Sequence, residues 1–413
     1  MVDYPRITIL PGACREETYL IDINAVRRDT PGCEALVHFN NAGASLMPRP
    51  VAAAVTDHLA LEERAGGYEA LEQAQGKIDD CYAAIAELIG ASPEEIAIVD
   101  SATRAWNLAF FSLRFRPGDR ILTCEAEYAS NYISYLQAAQ RQGVEIVTIK
   151  SDEAGQLSID DLRANIDDRV KLIAITHVPT NGGLVNPARE VGAVARAAGI
   201  PFLLDACQSA GQMPLDVGEI GCDMMSITGR KFLRGPRGTG FLYVRKDWIQ
   251  RMDPPFIDLY GAQWSSMGAY VLRADAKRFE NYEHNVGGKI GLGVAVRYAL
   301  GLGLEEIEGR VTQLANSLRS QLAEIPGVEL LDIGEHRCAI VTFRHPRIVP
   351  RQLMLGLRPK GINIWTSNRR STRIDMEARN LEDIVRASVH YYNTEDEIAR
   401  AVREIDAAIA AAA

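Results

Sequence analysis

The sequence predicts an α/β fold built on a large, mostly parallel sheet, and three observations lead there. Short apolar runs recur between residues 94 and 244: EEIAIVD, DRILTCE, VEIVTIK, VKLIAITHV, PFLLDA, DMMSIT and GTGFLYV. Helical stretches separate them, among them DLRANI and PAREVGAVARAAG. The runs are apolar without alternation, as strands are when both faces of their sheet are covered. Seven such runs predict a seven-stranded sheet sandwiched by helices.

The elements follow in order. Residues 1–37 read as an arm without strong periodicity. HFNNAGASLMPRP (38–50) is rich in turn formers, and its prolines keep it from helixing before about residue 50. From VAAAVTDHLALEERA to about Leu88 the apolar spacing is helical. The strand–helix alternation then runs to Val244. Beyond about residue 300, VTQLANSLRSQLAEI reads as a helix, and VELL, CAIVTFRH and INIW read as strands of a smaller α+β unit. TEDEIARAVREIDAAIAAAA reads as a closing helix with Thr394 as its N-cap. The expected division is an arm and entrance segment (1–50), a large domain (51–295) and a small C-terminal domain (296–413).

Composition narrows the function. The 413 residues are 47% hydrophobic and 24% charged, ordinary for a globular protein. A net charge of −9 argues against nucleic acid or an anionic membrane as partner, though not against a small anionic cofactor. The seven cysteines are scattered and form no CxxC pair, which suits a reduced, cytoplasmic setting. The seven histidines show no ligand spacing, so no metal site is expected. No GxxxxGK[ST] phosphate loop is present, and the want of a GxGxxG turn after the first strand excludes the usual dinucleotide site.

Chemistry-bearing residues gather at the strand ends, where open α/β sheets bind ligands. Lys231 closes the DMMSIT run and opens a glycine-rich loop, and Asp205 ends PFLLDA. A lysine amine can hold the aldehyde of pyridoxal phosphate (PLP) as a Schiff base, while a carboxylate keeps the pyridine nitrogen protonated. Ser101, Ala102 and Thr103 follow EEIAIVD and open a helix, whose N–H groups could cradle a phosphate. Glu127, Tyr128 and Asn131 follow DRILTCE, His177 follows VKLIAIT, and Gln208 and Thr228 stand beside Asp205 and Lys231. Each residue alone has an ordinary reading: a solvated loop lysine, a helix-capping Asp, a structural GPRG turn, a packing cysteine at Cys207.

The ordered segments NAGAS (41–45), SATRAWNL (101–108), THVPTNGGLVNP (176–187), DACQSAGQMPLDV (205–217), TGRK (228–231), RFENYEHNVGGKIGLG (278–293) and RASVHYYNTEDEI (386–398) resemble the class V aminotransferase family of fold-type I PLP enzymes, which includes the cysteine desulfurases. The resemblance runs from about residue 38 to the C-terminus and implies the following roles. Lys231 is the Schiff-base lysine and the acid/base at Cα. Asp205 pairs with the pyridinium nitrogen and Gln208 with the ring hydroxyl. Ala102, Thr103, Thr228 and Arg230 hold the phosphate. Tyr128 stands where desulfurases stack a histidine on the ring, and a phenol there could also protonate a departing sulfur. Arg386 binds the substrate carboxylate, with Asn41, Ala42 and Gly43 at the entrance. Asn285 lies in a segment that reaches the phosphate of a neighbouring subunit, which implies a homodimer.

Departures from the family pattern bear on the reaction. Desulfurases carry a persulfide-forming cysteine on the loop before the substrate arginine, whereas residues 361–394 contain none, and Cys338 is out of register. Glu283 replaces a threonine used on the partner phosphate. With Tyr128 and the VPTNGG wording, these departures resemble the isopenicillin-epimerase-like and cysteine-conjugate lyase branches. The leading expectation is therefore β-elimination from a cysteine S-conjugate or sulfoxide, giving pyruvate and ammonia. Epimerisation or transamination of an amino acid is the alternative, and desulfuration by an unconventional thiol or a catalytically dead scaffold come after them. Arg369, Arg370 and Arg373 read as a solvated basic loop or as recognition of an anionic substrate end, with Trp365 as an apolar wall or a packing residue.

Overall fold

The computed structural model describes residues 21–412. The expected arm therefore lies partly outside the described residues, and its visible portion contains helix α1 (Ile23–Arg28). A two-residue strand β1 (Val37–His38) follows. Helices α2 (Arg49–Ala65) and α3 (Gly67–Ile89) replace the single expected helix. The break falls at Gly66, whose φ of 94° suits glycine and not the bulkier residues around it.

The large sheet holds β2 (Ile96–Val99), β3 (Arg120–Cys124), β4 (Glu145–Ile149), β5 (Val170–Thr176), β6 (Phe202–Asp205), β7 (Met224–Thr228) and β8 (Gly240–Val244), each on an expected run. Its order is β2-β8-β7-β6-β5-β3-β4. Only β8 runs against the other strands, pairing antiparallel with both neighbours. Side chains alternate between two packed layers: Ile173, Ile175, Phe202 and Leu204 enter one cluster, while Leu172, Ala174 and Leu203 enter the other. Both faces are thus dry, which is why the runs show no polar alternation. Helices α4 (Ala102–Phe111) and α5 (Ala129–Gln142) bring Trp106, Phe110 and Tyr135 to the second layer. Helix α6 (Ile159–Ala164) precedes β5, and α7 (Ala188–Ala198) joins β5 to β6.

Beyond the sheet lies a hairpin that the sequence reading did not anticipate, β9 (Ala262–Ser266) and β10 (Ala269–Leu272). Strand β11 (Glu329–Leu330), β12 (Ile340–Arg344), β14 (Trp365–Asn368) and β15 (Asp383–Ser388) form a second, antiparallel sheet in the order β11-β12-β15-β14. INIW is not one strand. Its first half, β13 (Ile362–Asn363), pairs with β1, and Trp365 opens β14. The unanticipated β15 carries Arg386 in register with Thr342 and Trp365. The expected division at residue 295 falls inside a helix, α8 (Val286–Leu302) in order of mention, which packs on α2 and α3 and ends at Gly303. The closing helix Glu395–Ala411 has the expected Thr394 cap, reinforced by a reciprocal bond from Glu397. Among the described residues no helix is long and apolar enough to cross a membrane.

Candidate active site

Five of the parallel strands end on one side of the sheet and deliver the expected residues to one cavity of about 310 Å³. Strand β2 leads to Ser101, Ala102 and Thr103, β3 to Tyr128, β5 to Thr176, β6 to Asp205 and β7 to Thr228, Arg230 and Lys231. Ser101 caps α4, its hydroxyl accepting from Arg104 N at 3.2 Å, so the first turn of that helix opens on the cavity. Gln208 also lines it, and its buried Oε1 has no partner.

Asp205 is 5% exposed. Its Oδ1 accepts from Cys207 N at 2.9 Å and its Oδ2 from Asn131 Nδ2 at 2.8 Å. Lys231 faces it from the next strand end. Burial lowers the lysine pKa below its ordinary value, helped by Arg230 and Arg386 and opposed by Cys207 and Asp205. An amine held toward its neutral form is a nucleophile, as covalent attachment of an aldehyde needs.

The loop that carries Lys231 is clamped. Arg230 donates to Gly43 O, and Ser45 N donates to Arg230 O at 3.0 Å. Gly211 (φ 89°) lets a neighbouring turn press on this loop, since a Cβ there would meet Phe232 at 2.5 Å. The buried Arg234 sits at φ 61° and donates to Leu46 O (2.8 Å), Tyr391 Oη (2.8 Å) and Thr30 Oγ1 (2.5 Å). Its guanidinium also lies 4.6 Å from the Tyr392 ring centroid. The sequence reading missed Arg234; its only signal was a lone arginine inside KFLRGPRG.

Arg386 is buried, with Nη1 donating to the carbonyl (3.3 Å) and hydroxyl of Thr180, a residue of the cavity wall. Its Nε has no partner and no carboxylate pairs with it among the described residues. Burial, with Arg230 adding to it, lowers its pKa to about 10. A buried guanidinium without an anion is a strong site for a ligand carboxylate.

Not every expected residue reaches the cavity. Asn41 Nδ2 donates to His38 O (3.1 Å) and Ser388 O (2.7 Å), and its Oδ1 accepts from Tyr392 (2.5 Å), so its side chain is spent on the fold. Ala42 and Gly43 border the site through their carbonyls, which accept from Gln208 Nε2 (3.2 Å) and Arg230. Asn285 caps α8 and lines a neighbouring pocket with Glu283, outside the cavity of its own chain. His177 is buried against Ser209 (3.0 Å), its pKa lowered to about 4 by burial and Arg189. Arg237 lines the cavity and was missed. Of the arginine trio, Arg369 pairs with Glu382 and Arg373 with Glu377 at 2.9 Å, as a solvated loop would. Trp365 lies on the small sheet, 42% exposed, and does not line the cavity.

The residues fit PLP. The cavity lining brings together a helix N-terminus, Arg230 and Arg237, the Asp205 carboxylate, Gln208 with its unpartnered Oε1, and Lys231. These are groups that could hold a phosphate, a protonated ring nitrogen and an aldehyde. The chain belongs to the class V aminotransferase family, whose model matches residues 37–401, and it is a PLP-dependent enzyme.

Cysteine desulfurases stand among its relatives. A probable cysteine desulfurase of Xylella fastidiosa (strain 9a5c) is 31% identical over 389 residues, covering 92% of both chains. A probable cysteine desulfurase of Methanothermobacter thermautotrophicus is 30% identical, covering 90% of this chain and 94% of that protein. The apo structure of the cysteine desulfurase from Thermococcus onnurineus NA1 superposes with a TM-score of 0.88 at 28% identity, over 94% of this chain and 98% of that one.

These relatives overturn the expected C–S lyase reading with its epimerase and aminotransferase alternative. That reading leaned on a missing cysteine and on Tyr128, local features that outweigh neither the fold nor the similarity across the whole chain. A cystine C–S lyase structure does superpose, with a TM-score of 0.81, but at 24% identity this likeness is one of fold alone.

Proposed function

We propose that the protein is a PLP-dependent cysteine desulfurase that removes sulfur from Cβ of L-cysteine or a close analogue and leaves alanine. The observation that carries this reading is the run of relatives named cysteine desulfurases across nine-tenths of the chain. The unpaired, buried Arg386 beside Lys231 supports an amino-acid substrate held by its carboxylate.

PLP, when bound, supplies an electron sink for the pair released at Cα. Lys231 takes the Cα proton and returns a proton to the product. Asp205 would hold a proton at the ring nitrogen, and Gln208 would meet the ring hydroxyl. Ala102, Thr103, Thr228 and Arg230 hold the phosphate. Tyr128 would pack against the ring, and Arg386 would fix the carboxylate so that the Cα–H bond faces Lys231.

The sulfur acceptor is an external thiol in this proposal. The six cysteines among the described residues are all buried, and residues 361–394 contain none; Cys207 lines the cavity, but burial and then Asp205 raise its pKa well above the ordinary value and keep its thiol protonated. The segment that replaces the cysteine loop is tied down. Ala129 N donates to Ser371 O (2.9 Å), Asn181 Nδ2 to Thr372 Oγ1 (2.8 Å) and Asp375 N to Glu125 O (3.1 Å). Cysteine and a thiol RSH then give alanine and the persulfide RSSH, with every atom and proton accounted for.

We also propose a homodimer and a two-domain division, with the boundary at Gly303, where the helix that spans residue 295 ends. The hairpin and its approach expose Leu259 (76%), Trp264 (74%) and Met267 (91%), an apolar surface that suits a second copy. Asp258, on that approach, accepts from Tyr282 N at 2.8 Å, so the same surface continues into the segment holding Glu283 and Asn285.

The test is to supply L-cysteine and dithiothreitol to the holoenzyme and quantify alanine, pyruvate and sulfide. Equal amounts of alanine and sulfide are expected. Pyruvate in place of alanine would overturn the proposal.

A further inference from the structure

We infer that Glu127, acting through Asn131, is a positioning residue that orients Asp205 and adds negative potential behind the cofactor ring. The inference rests on the reading that Asp205 faces the pyridine nitrogen of PLP.

Glu127 lies in the turn between β3 and α5 and is 3% exposed. Its Oε1 accepts from Asn131 Nδ2 (2.9 Å), Tyr128 N (2.8 Å) and the Thr176 hydroxyl. Its Oε2 accepts from Thr123 Oγ1 (2.9 Å) and Tyr135 Oη (3.3 Å). The same Asn131 nitrogen also donates to Asp205 Oδ2 at 2.8 Å. An amide nitrogen has two hydrogens, and here each goes to a different buried carboxylate. Both of its donor positions are therefore used, and the amide cannot turn without breaking a charge-assisted bond.

This geometry does more than bury a carboxylate. Asp205 has one oxygen fixed by Cys207 N and the other by Asn131, so its plane is set from both sides. Glu127 also fixes the backbone of Tyr128, whose ring lines the cavity. One buried group thus braces two walls of the cofactor site, joining the ends of β3, β5 and β6.

Its charge is also unpaired. Among the described residues no lysine or arginine forms an ion pair with it. The titratable groups around it are Asp205, Cys124 and Tyr135, none of them cationic. Burial pushes its pKa up to about 7; Asp205 adds to that rise, and the hydroxyl and amide donors oppose it. Above that pKa Glu127 is ionised, and because it shares one amide with Asp205 its negative potential then adds to that of Asp205 at the ring nitrogen.

Glu127→Gln keeps the shape and an Oε1 acceptor while removing the charge, and Asn131→Ala removes the bridge. The measurement is an absorbance titration of the lysine-bound cofactor, with PLP affinity from titration of the apoenzyme and urea midpoints alongside. Glu127→Gln is expected to lower the titration midpoint by about one pH unit and to weaken PLP binding about tenfold. Asn131→Ala is expected to reproduce the weaker binding. Unchanged titration and affinity in both variants, with only the urea midpoint lowered, would make Glu127 a structural carboxylate and overturn the inference. A wild-type protein with no lysine-bound cofactor band would instead overturn the PLP reading and the inference together.

Discussion

Replacing Arg234 by methionine is expected to cost the fold about 4 kcal/mol. The guanidinium donates to Leu46 O, Tyr391 Oη and Thr30 Oγ1, and it lies over the rings of Tyr392, Tyr391 and Tyr298. Hydrogen bonds from a charged donor contribute roughly 1.5–3 kcal/mol each, and the ring contacts add about 1 kcal/mol. Methionine recovers some apolar contact and removes a buried charge, and Thr30 keeps its own bond to Val26 O, which together offset about half of that gross loss. The assay is urea unfolding of the apoprotein followed by circular dichroism. Arg114→Met serves as the reference, since that arginine pairs with Asp253 on the surface and should cost under about 1 kcal/mol. PLP binding should weaken as well, because the lost side-chain bonds to Leu46 O, Tyr391 Oη and Thr30 Oγ1 anchor the loop that begins at Lys231. Equal urea midpoints for the two variants would refute the clamp as a source of stability.

Three more outcomes follow from the site. Lys231→Ala should lose both the visible band of the lysine-bound cofactor and all alanine production; retention of either would remove Lys231 from its role. Arg386→Gln should raise the KM for cysteine on the order of 100-fold with a smaller change in kcat, read from initial rates. His177→Asn should flatten the acid side of the stability profile. Its folded pKa of about 4 lies below the ordinary 6.5, so the native state binds fewer protons and wild-type stability falls as pH drops through that window. The difference between the two proteins should change by about 3 kcal/mol between pH 6.5 and 4, by urea midpoints at each pH. Parallel profiles would contradict it.

The strands and cavity were legible because most of the apolar runs are buried on both faces and five of them lead into polar residues at the same rim. Lys231, Asp205, Gln208 and Thr228 stand at those ends, so pattern alone brought them together. What escaped was set by contacts distant in sequence. Arg234 matters through partners at positions 30, 46 and 391, and nothing local marks it. Asn41 looked like an entrance residue, yet its amide is consumed by Ser388, far along the chain. Strand β15 was hidden because VRASVHYY mixes a buried arginine and histidine into an apolar run, and only the antiparallel partners β12 and β14 make it a strand. The reaction was misjudged for a related reason: one absent cysteine is a local feature, while the family resemblance spans the chain.

The ties that hold residues 371–375 to the loops after β3 and β5 concern timing as much as shape. Where a swinging loop must deliver a group to the substrate, that swing can limit the rate. Here the segment is bonded to the loops after β3 and β5 and to the start of α5, and under the proposed function the acceptor would arrive as a free molecule. Turnover at saturating thiol should therefore be insensitive to solvent viscosity, and addition of sucrose to the assay should leave kcat unchanged.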